Sequence, residues 1–191
     1  MTDKKDDDKK PPIWQSHPEI WKSQSAWFAF LRGVLRSGWK NFPVKNKFLK
    51  KVRKRIPNPS PRGRHKTIWG GTCEMCKNDF PSKDMQVDHK IGAGSLNDWD
   101  DLEDFTRRLF DVTEDDLQYL CKPCHSIKSY SERYNVTMEE ARKRKDQIAF
   151  DRLTLPQMQR TLRDMGVEDV PSSKVECKAM FKKMMENTDG N

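Results

Sequence analysis

The sequence predicts an α+β protein in which a small core of short strands is flanked by mainly helical segments. Three observations support this fold class. Apolar residues recur at helical spacing between Trp27 and Leu35. The segment MQVDH, at 85–89, alternates apolar and polar side chains as a half-buried strand does. Two Cys-x-x-Cys pairs lie among short polar segments in the middle of the chain, a pattern typical of small metal-stapled cores.

The composition limits the class of protein. The chain has 191 residues, of which 35% are charged and 34% hydrophobic, so a large single core is not expected. No run approaches the roughly 18 apolar residues of a membrane span. The start, MTDKKDDDKK, lacks the apolar centre of a signal peptide. We therefore expect a soluble, intracellular protein without a membrane partner.

Positive charge is concentrated in the first third of the chain. Residues 1–65 hold 17 Lys/Arg against 5 Asp/Glu, a net charge of +12, and the remainder has a net charge of −4. Between Glu19 and Glu74 there is no acidic residue, while 14 Lys/Arg occur there. Because neutralising such a block with a polyanion releases counterions, nucleic acid is the expected partner. A solvated basic tail is the alternative.

Composition and pattern divide the chain into four regions. They are a disordered charged tail (1–12), a basic Trp-rich helical region (13–66), a cysteine-containing domain (67–135) and a helical C-terminal arm (136–191).

The Trp-rich region predicts two helices. The run SHPE has capping-box spacing from Ser16 to Glu19, which predicts a helix start, and the apolar stripe that follows ends near Gly38. A second helix is predicted over 43–56, where apolar residues recur four apart. The segment PNPSPRGR, at 57–64, is predicted to be a linker.

Tryptophans and cations interleave in this region. Trp14, Trp21, Trp27 and Trp39 either stack on nucleic-acid bases or form a small core that holds the two helices together, and we favour the core. The candidate phosphate-binding residues are Lys50, Lys51, Arg53, Lys54, Arg55, Arg62 and Arg64.

The cysteine-containing domain predicts two strands, at 85–89 and 117–120, with a helix between them. In the helix, Trp99, Leu102, Phe105 and Leu109 share one face. Residues 98–116 contain nine acidic and two basic side chains, so this insertion is expected to face away from a nucleic acid.

The two cysteine pairs predict a metal site. Cys73 with Cys76, and Cys121 with Cys124, can form the two knuckles of a four-cysteine zinc site, with each thiolate about 2.3 Å from the ion. Four reduced cysteines in a core are the alternative, but the segments are too polar to favour it. The 44 residues between the pairs exceed the spacing of a simple zinc ribbon, so a folded insertion is expected there.

Further metal-binding and catalytic candidates lie beside the cysteines. Four thiolates complete the coordination of zinc, so His125 is available for another role. Asp88 and His89 end the 85–89 strand and point to opposite sides of it. Asp88 and His125 can together hold a divalent ion such as Mg²⁺ or Mn²⁺, and His89 then remains as a base.

The motifs CEMC, VDHKIGAGSL and DLQYLCKPCHSIKSYSER, in this order over about 67–134, resemble the HNH endonucleases of the ββα-metal type, in particular the zinc-bearing HNH proteins of bacteriophages. The resemblance implies a ββα-metal core that hydrolyses DNA. His89 would be the general base, and a cation on Asp88 and His125 would stabilise charge on the phosphoryl oxygens. Lys128 would contact the adjacent phosphate, and the products would carry 5′-phosphate and 3′-hydroxyl ends.

The resemblance also implies partners and a location. DNA would be the substrate, in a homing or packaging role, other phage DNA-processing proteins would be partners, and the location would be the cytoplasm of the infected bacterium. The alternative is a noncatalytic zinc-containing DNA-binding protein that accompanies phage replication, recombination or packaging. In that protein Asp88, His89 and His125 would make ordinary surface hydrogen bonds.

One position departs from the family pattern. The middle residue of the H-N-H pattern is usually Asn, and here it is Asp116, which can accept the same hydrogen bonds but cannot donate them. Asp116 could orient His89 or assist metal binding, and Asn97 is a less favoured substitute. His17 and His65 are expected to contact phosphate or solvent.

The C-terminal arm predicts a helix around 138–150 and two amphipathic helices after Leu155, separated by a loop rich in Gly, Pro and Ser. The last two helices weakly resemble SAP-type DNA-binding motifs. A helical pair that packs on the rest of the protein or mediates self-association is the alternative. Cys177 is expected to be a small buried hydrophobic residue.

Overall fold

A computed structural model describes residues 10–60 and 64–187, and its secondary structure is α+β, as the sequence predicts. The chain divides into two units, Met1–Cys121 and Lys122–Asn191. The sequence placed its boundaries at 66/67 and 135/136, so the units do not coincide with the predicted regions.

The described part of the first unit contains helices and short strands. In chain order they are α1 (Ile13–Ser16), α2 (Gln24–Trp39), α3 (Pro43–Val52), β1 (Lys54–Pro57), β2 (Thr67–Thr72), β3 (Asp79–Pro81), β4 (Met85–His89), α4 (Leu102–Phe110) and β5 (Leu117–Cys121). Short 3₁₀ helices at Ser82–Asp84 and Glu114–Asp116 precede β4 and β5.

The predicted helix start at Ser16 is wrong, because Ser16 ends the short helix α1. The long helix α2 begins instead after Ser23, whose hydroxyl accepts a hydrogen bond from the Ala26 N–H at 3.2 Å. That bond satisfies one of the backbone donors that a helix start leaves without an intrahelical partner. The helix ends at Trp39, close to the predicted end.

An apolar core holds α2 against α4. Its buried residues are Phe28, Ala93, Leu96, Phe105 and Leu109. Trp14, Trp27 and Trp39 pack against this core, and Trp21 packs against Trp27 with ring centroids 5.0 Å apart. The tryptophans therefore belong to an apolar core, as the preferred interpretation expects, but this core joins α2 to α4 and contains no residue of the second predicted helix.

The second predicted helix is shorter than expected. α3 ends at Val52, and Arg53 turns the chain into extended conformation, so Lys54–Pro57 form strand β1. Ile56 has the apolar spacing of the helix but is buried in the strand. Apolar residues four apart fit one face of a helix, but every second residue of a strand also faces one side, which explains the error.

A three-stranded antiparallel sheet has the order β1-β2-β3. Arg55 pairs with Trp69 and Ile56 pairs with Ile68. Of the segment 57–64, which was predicted to be a linker, Pro57 belongs to β1 and the rest connects two paired strands of one sheet. Residues 61–63 of this segment are outside the described residues.

The strands at 85–89 and 117–121 form a separate antiparallel ribbon, β4-β5, as the sequence predicts for both strands. Met85 pairs with Cys121 at one end of the ribbon, and His89 pairs with Leu117 at the other. The side chains of Leu117, Tyr119 and Leu120 are buried.

Gly71 allows the sheet to approach β5 closely. A Cβ atom at this position would lie 2.4 Å from the Tyr119 ring, which is itself buried. Only a residue without a side chain fits here, because carbon atoms in contact lie about 3.5–4.0 Å apart.

The acidic insertion packs against the basic helices rather than apart from them. α4 contacts α2, and the Arg32 guanidinium donates a hydrogen bond to the Leu96 carbonyl. The Lys47 ammonium lies 2.6 Å from a Glu114 oxygen, and this contact raises the pKa of Lys47 and lowers that of Glu114. Part of the positive charge of α3 is therefore balanced within the first unit.

The described part of the second unit is helical, as predicted. Its elements are α5 (Lys122–Tyr134), α6 (Met138–Asp151), α7 (Leu155–Asp164) and α8 (Lys174–Asn187). Thr137 caps α6, and Thr154 forms a capping box with Gln157 at the start of α7.

A second core lies among α6, α7 and α8. Its buried residues are Phe150, Met158, Leu162, Cys177 and Phe181, and the rings of Phe150 and Phe181 stack with centroids 4.1 Å apart. The prediction that Cys177 is a buried small hydrophobic residue is confirmed. The SAP-type resemblance stays a prediction. Among the described residues, the helices are too short or too polar to span a bilayer.

We predict that Gly71→Ala lowers the thermal stability of the protein. The new methyl group overlaps the buried Tyr119 ring, and overpacking of this kind typically costs about 1–3 kcal/mol. Thermal unfolding followed by circular dichroism measures the change.

Gly33→Ala is the matched control. Gly33 lies within α2, and a Cβ atom there meets nothing within 4 Å. This variant should gain about 0.5–1 kcal/mol, because alanine has the higher helix propensity. Equal melting temperatures for the two variants would contradict the proposed packing of β2 on Tyr119.

Candidate functional site

The four cysteines of the two Cys-x-x-Cys pairs are brought together. Cys73 and Cys76 lie in the turn after β2, Cys121 ends β5, and Cys124 lies in the first turn of α5. Their sulfur atoms all lie within 4.8 Å of one another. The Sγ atoms of Cys76 and Cys121 are 4.0 Å apart. In a tetrahedron with zinc–sulfur bonds of about 2.3 Å, the sulfurs are about 3.8 Å apart, so the cluster can hold a metal ion and is compatible with structural zinc.

Backbone hydrogen bonds shape the first cysteine turn. The Cys73 N–H donates to the Asn78 carbonyl and the Lys77 N–H donates to the Cys73 carbonyl, both at 2.9 Å. Lys77 has a positive φ of 62°, a conformation that non-glycine residues seldom adopt. The turn is joined to β5 through Glu74, whose carboxylate accepts the Tyr119 N–H at 2.7 Å.

The environment of Cys73 favours its thiolate. Burial raises the pKa of this thiol, but hydrogen bonds from the N–H groups of Cys121, Cys76 and Met75 and from the Cys76 side chain outweigh the burial and lower the pKa to about 7. The thiolate is the form that binds metal ions, so the polypeptide itself prepares this ligand near neutral pH.

Within residues 10–60 and 64–187, the cysteines are the one group of three or more potential metal ligands arranged to hold an ion. Asp88 and His125 are not members of such a group. The second metal site on these two residues therefore stays a prediction.

His89 lies at the end of the β4-β5 ribbon, where its side chain is only 7% exposed. The Nε2 atom lies 3.1 Å from the Leu109 carbonyl oxygen, and the ring centroid lies 4.2 Å from that of Trp39. Since a carbonyl oxygen only accepts, Nε2 carries a proton in this contact. The ring of the predicted base is thus held in place by groups from α2 and α4.

Asp88 is oriented by the neighbouring strand. Gln118 pairs with Asp88 in the ribbon, and its Nε2 donates to Asp88 Oδ2 at 3.1 Å and to the His89 carbonyl at 3.3 Å. The Gln118 side chain therefore restrains the backbone and carboxylate next to the predicted base.

Asp116 supports the same loop in a way that the sequence did not predict. Its carboxylate accepts hydrogen bonds from the Thr113 N–H at 2.8 Å and the Thr113 hydroxyl at 2.7 Å, and these bonds lower the pKa of Asp116. The Asp116 carbonyl accepts the Lys90 N–H at 2.8 Å, directly after His89. The backbone carbonyl of Asp116 thus restrains the chain next to His89, and a residue of any type at this position has such a carbonyl. Asn97 contacts Gln24 and Asp101 through its backbone.

The predicted phosphate-binding cations differ in their surroundings. Lys51 lies 4.0 Å from Glu114, Lys54 lies 2.8 Å from Asp79, and Lys128 lies 2.5 Å from Glu132. Lys50 and Arg64 are exposed, and Arg62 lies outside the described residues.

Arg53 and Arg55 both contact the ring of Trp69. His17 pairs with Glu19, and His65 is exposed between β1 and β2.

Two residues of interest were missed by the sequence analysis. Trp39 was assigned to the core without its contact with His89, and no local pattern indicates a contact between residues 50 positions apart. Trp69 was not considered, although it lies in the run TIWGGT, whose β-branched and aromatic residues are typical of a strand.

Comparison of the chain with protein-family models, with curated proteins and with solved structures gives no match.

We predict that the purified protein contains about one zinc ion per chain and that Cys121→Ser removes the ion and lowers the melting temperature. Structural zinc contributes directly to the free energy of folding, so its loss destabilises the elements that carry the thiolates. Elemental analysis by mass spectrometry, together with a melting curve, measures both effects.

Cys177→Ala is the control, because this cysteine is buried in the core of the second unit and does not belong to the cluster. It should keep the metal while losing some packing. A Cys121→Ser protein with the zinc content and melting temperature of the parent would show that the cluster holds no structural ion.

Proposed function

We propose that the protein is a metal-dependent DNA endonuclease of the HNH type. The order of elements supports this proposal, since the paired strands β4 and β5 are followed directly by helix α5, a strand-strand-helix sequence. The Asp88-His89 pair ends the first strand, and His125 lies in the first turn of the helix. These are the positions at which the ββα-metal pattern carries its functional residues.

The observation that carries the proposal is the fixed position of the His89 ring at the end of β4, where Nε2 contacts the Leu109 carbonyl. In the neutral ring with its proton on Nε2, Nδ1 would be the basic atom that takes a proton from water. The water oxygen then bonds to a DNA phosphorus as the bond from phosphorus to the 3′-oxygen breaks. The 3′-oxygen leaves with a proton, and the other product keeps the 5′-phosphate.

A divalent cation would be held by the Asp88 carboxylate and the His125 ring, and it would supply electrostatic stabilisation to the phosphoryl oxygens and the departing oxygen. Gln118 orients Asp88 through a hydrogen bond to Oδ2. Oxygen and imidazole ligands of this kind suit Mg²⁺ or Mn²⁺. The cysteine cluster would have the separate role of structural support.

The charge of the first unit supports DNA as the substrate. No acidic residue occurs between Glu19 and Glu74, and 14 Lys/Arg lie in that interval. Exposed cations such as Lys50 and Arg64 can neutralise phosphates without first breaking a strong internal contact.

A second candidate is a noncatalytic zinc-containing DNA-binding protein. The low exposure of His89 favours it, because a ring packed on Trp39 can serve the core alone. The two candidates differ in one observable, the cleavage of DNA when a divalent cation is added.

We predict that the protein nicks or cuts plasmid DNA with added Mg²⁺ or Mn²⁺ and that His89→Gln slows cleavage about 10²- to 10⁴-fold, the usual contribution of a general base. Glutamine can still donate a hydrogen bond to the Leu109 carbonyl but has no basic nitrogen. Gel assays of plasmid forms over time measure the rates. Omission of the added cation is preferred to strong chelation, which would also extract zinc.

His17→Gln is the matched control, since His17 is an exposed histidine after α1. It should cut at the parental rate. If the His89→Gln protein keeps the parental melting temperature and still cuts at the parental rate, His89 is not the general base. A parent protein that binds plasmid DNA but cuts it with neither cation would favour the noncatalytic candidate.

A further inference from the structure

A half-exposed indole lies on the β1-β2 hairpin. Trp69 is 47% exposed, although tryptophan has a large apolar surface. The opposite face of the same strands carries Ile56, which is buried. Trp69 shares its face of β2 with Gly71, where the sheet packs on Tyr119, yet about half of the indole remains exposed.

Two guanidinium groups flank this indole. The Cζ atom of Arg53 lies 4.6 Å from the centroid of the Trp69 ring, and that of Arg55 lies 4.8 Å from it. Cation–π contacts at these distances are attractive, and they hold the indole and the two positive charges together. Arg55 is the direct cross-strand partner of Trp69.

The surroundings of this group are basic. The acidic residue of the sheet, Asp79, is bonded to Lys54 and Thr72. Lys54 lies between Arg53 and Arg55 in the chain and so points to the opposite face of the strand. Lys66 and Arg64 are exposed in the connection that joins β1 to β2. A polyanion therefore fits this face better than a basic or apolar partner.

We infer that Trp69, with Arg53 and Arg55, is a stacking platform for unpaired bases of DNA, so that the protein engages single-stranded DNA or the single-stranded part of a larger substrate. The inference rests on the proposed function only in taking DNA as the polyanion. An exposed indole stacks on any base once a guanidinium moves off the ring, and the two guanidiniums can then bond to the flanking phosphates. Bases inside a duplex must first be unstacked, at a cost that an unpaired strand does not have.

Binding measurements test this role separately from cleavage. Fluorescence anisotropy is recorded with a labelled 20-nucleotide single strand and with the duplex of the same sequence, without added magnesium or manganese and at several salt concentrations. Trp69→Leu should weaken single-strand binding about 5- to 100-fold, the usual contribution of stacking on one base. Its duplex affinity should change by less than about twofold, and Trp69→Phe should keep most of the single-strand affinity, because it keeps an aromatic face.

The slope of affinity against salt separates stacking from charge. Trp69→Leu should leave this slope unchanged, whereas Arg55→Gln should reduce it by about one phosphate contact, or about 0.7 for a single strand. Trp99→Leu is the matched control, because Trp99 is 54% exposed but lies in the acidic insertion. It should bind single strands as the parent does. Melting curves establish that each variant folds.

The outcomes separate the inference from the nuclease proposal. A folded Trp69→Leu protein that binds single strands as tightly as the parent, or that loses equal affinity for both forms of DNA, overturns the platform even if the parent cuts DNA. If the parent protein cuts no DNA but prefers single strands to duplex in a way that depends on Trp69, the platform is supported and the nuclease proposal is wrong. A parent that binds neither form overturns both.

Discussion

The antiparallel pairing of β4 with β5 is the constraint on which the rest of the first unit depends. Its register places Cys121 opposite Met85 at one end and His89 opposite Leu117 at the other. Four residue steps of a strand span about 13 Å, so the cysteine cluster and the predicted base are held apart on one rigid ribbon. A structural ion at one end and the proposed catalytic role at the other would therefore not compete for ligands.

The basic N-terminal region is part of this arrangement rather than a separate arm. Trp39, from α2, contacts the His89 ring, and β1 joins the sheet that approaches β5 through Gly71. The acidic insertion packs on the same helices and balances some of their charge through Glu114. Exposed ion pairs of this kind contribute little to stability, so their main effect is to neutralise part of the positive charge of α3. Arg53 and Arg55 contact the indole of Trp69.

The second unit is stabilised by an apolar core of its own. A capped helix, α6, packs with α7 and α8 around the stacked rings of Phe150 and Phe181. Its apolar residues lie at helical spacing, and its caps have the expected residue types, so each local signal agrees with the observed structure. This agreement explains why its helices could be located from the sequence.

The sequence by itself determined the cysteine cluster, both strands of the ribbon and most helices, because Cys-x-x-Cys spacing, alternation and helical periodicity are local properties of a chain. It misplaced the start of α2, because the capping pattern at Ser16 does not begin that helix. It also misplaced the end of α3, because the spacing of Ile56 fits a helix although the residue lies in a strand. Only the tertiary structure decided that the Leu109 carbonyl and Trp39 hold His89, that the main chain of Asp116 braces the adjoining loop, and that two arginines contact Trp69. Each of these contacts joins different elements of the fold, so its energy depends on packing that no short stretch of sequence records.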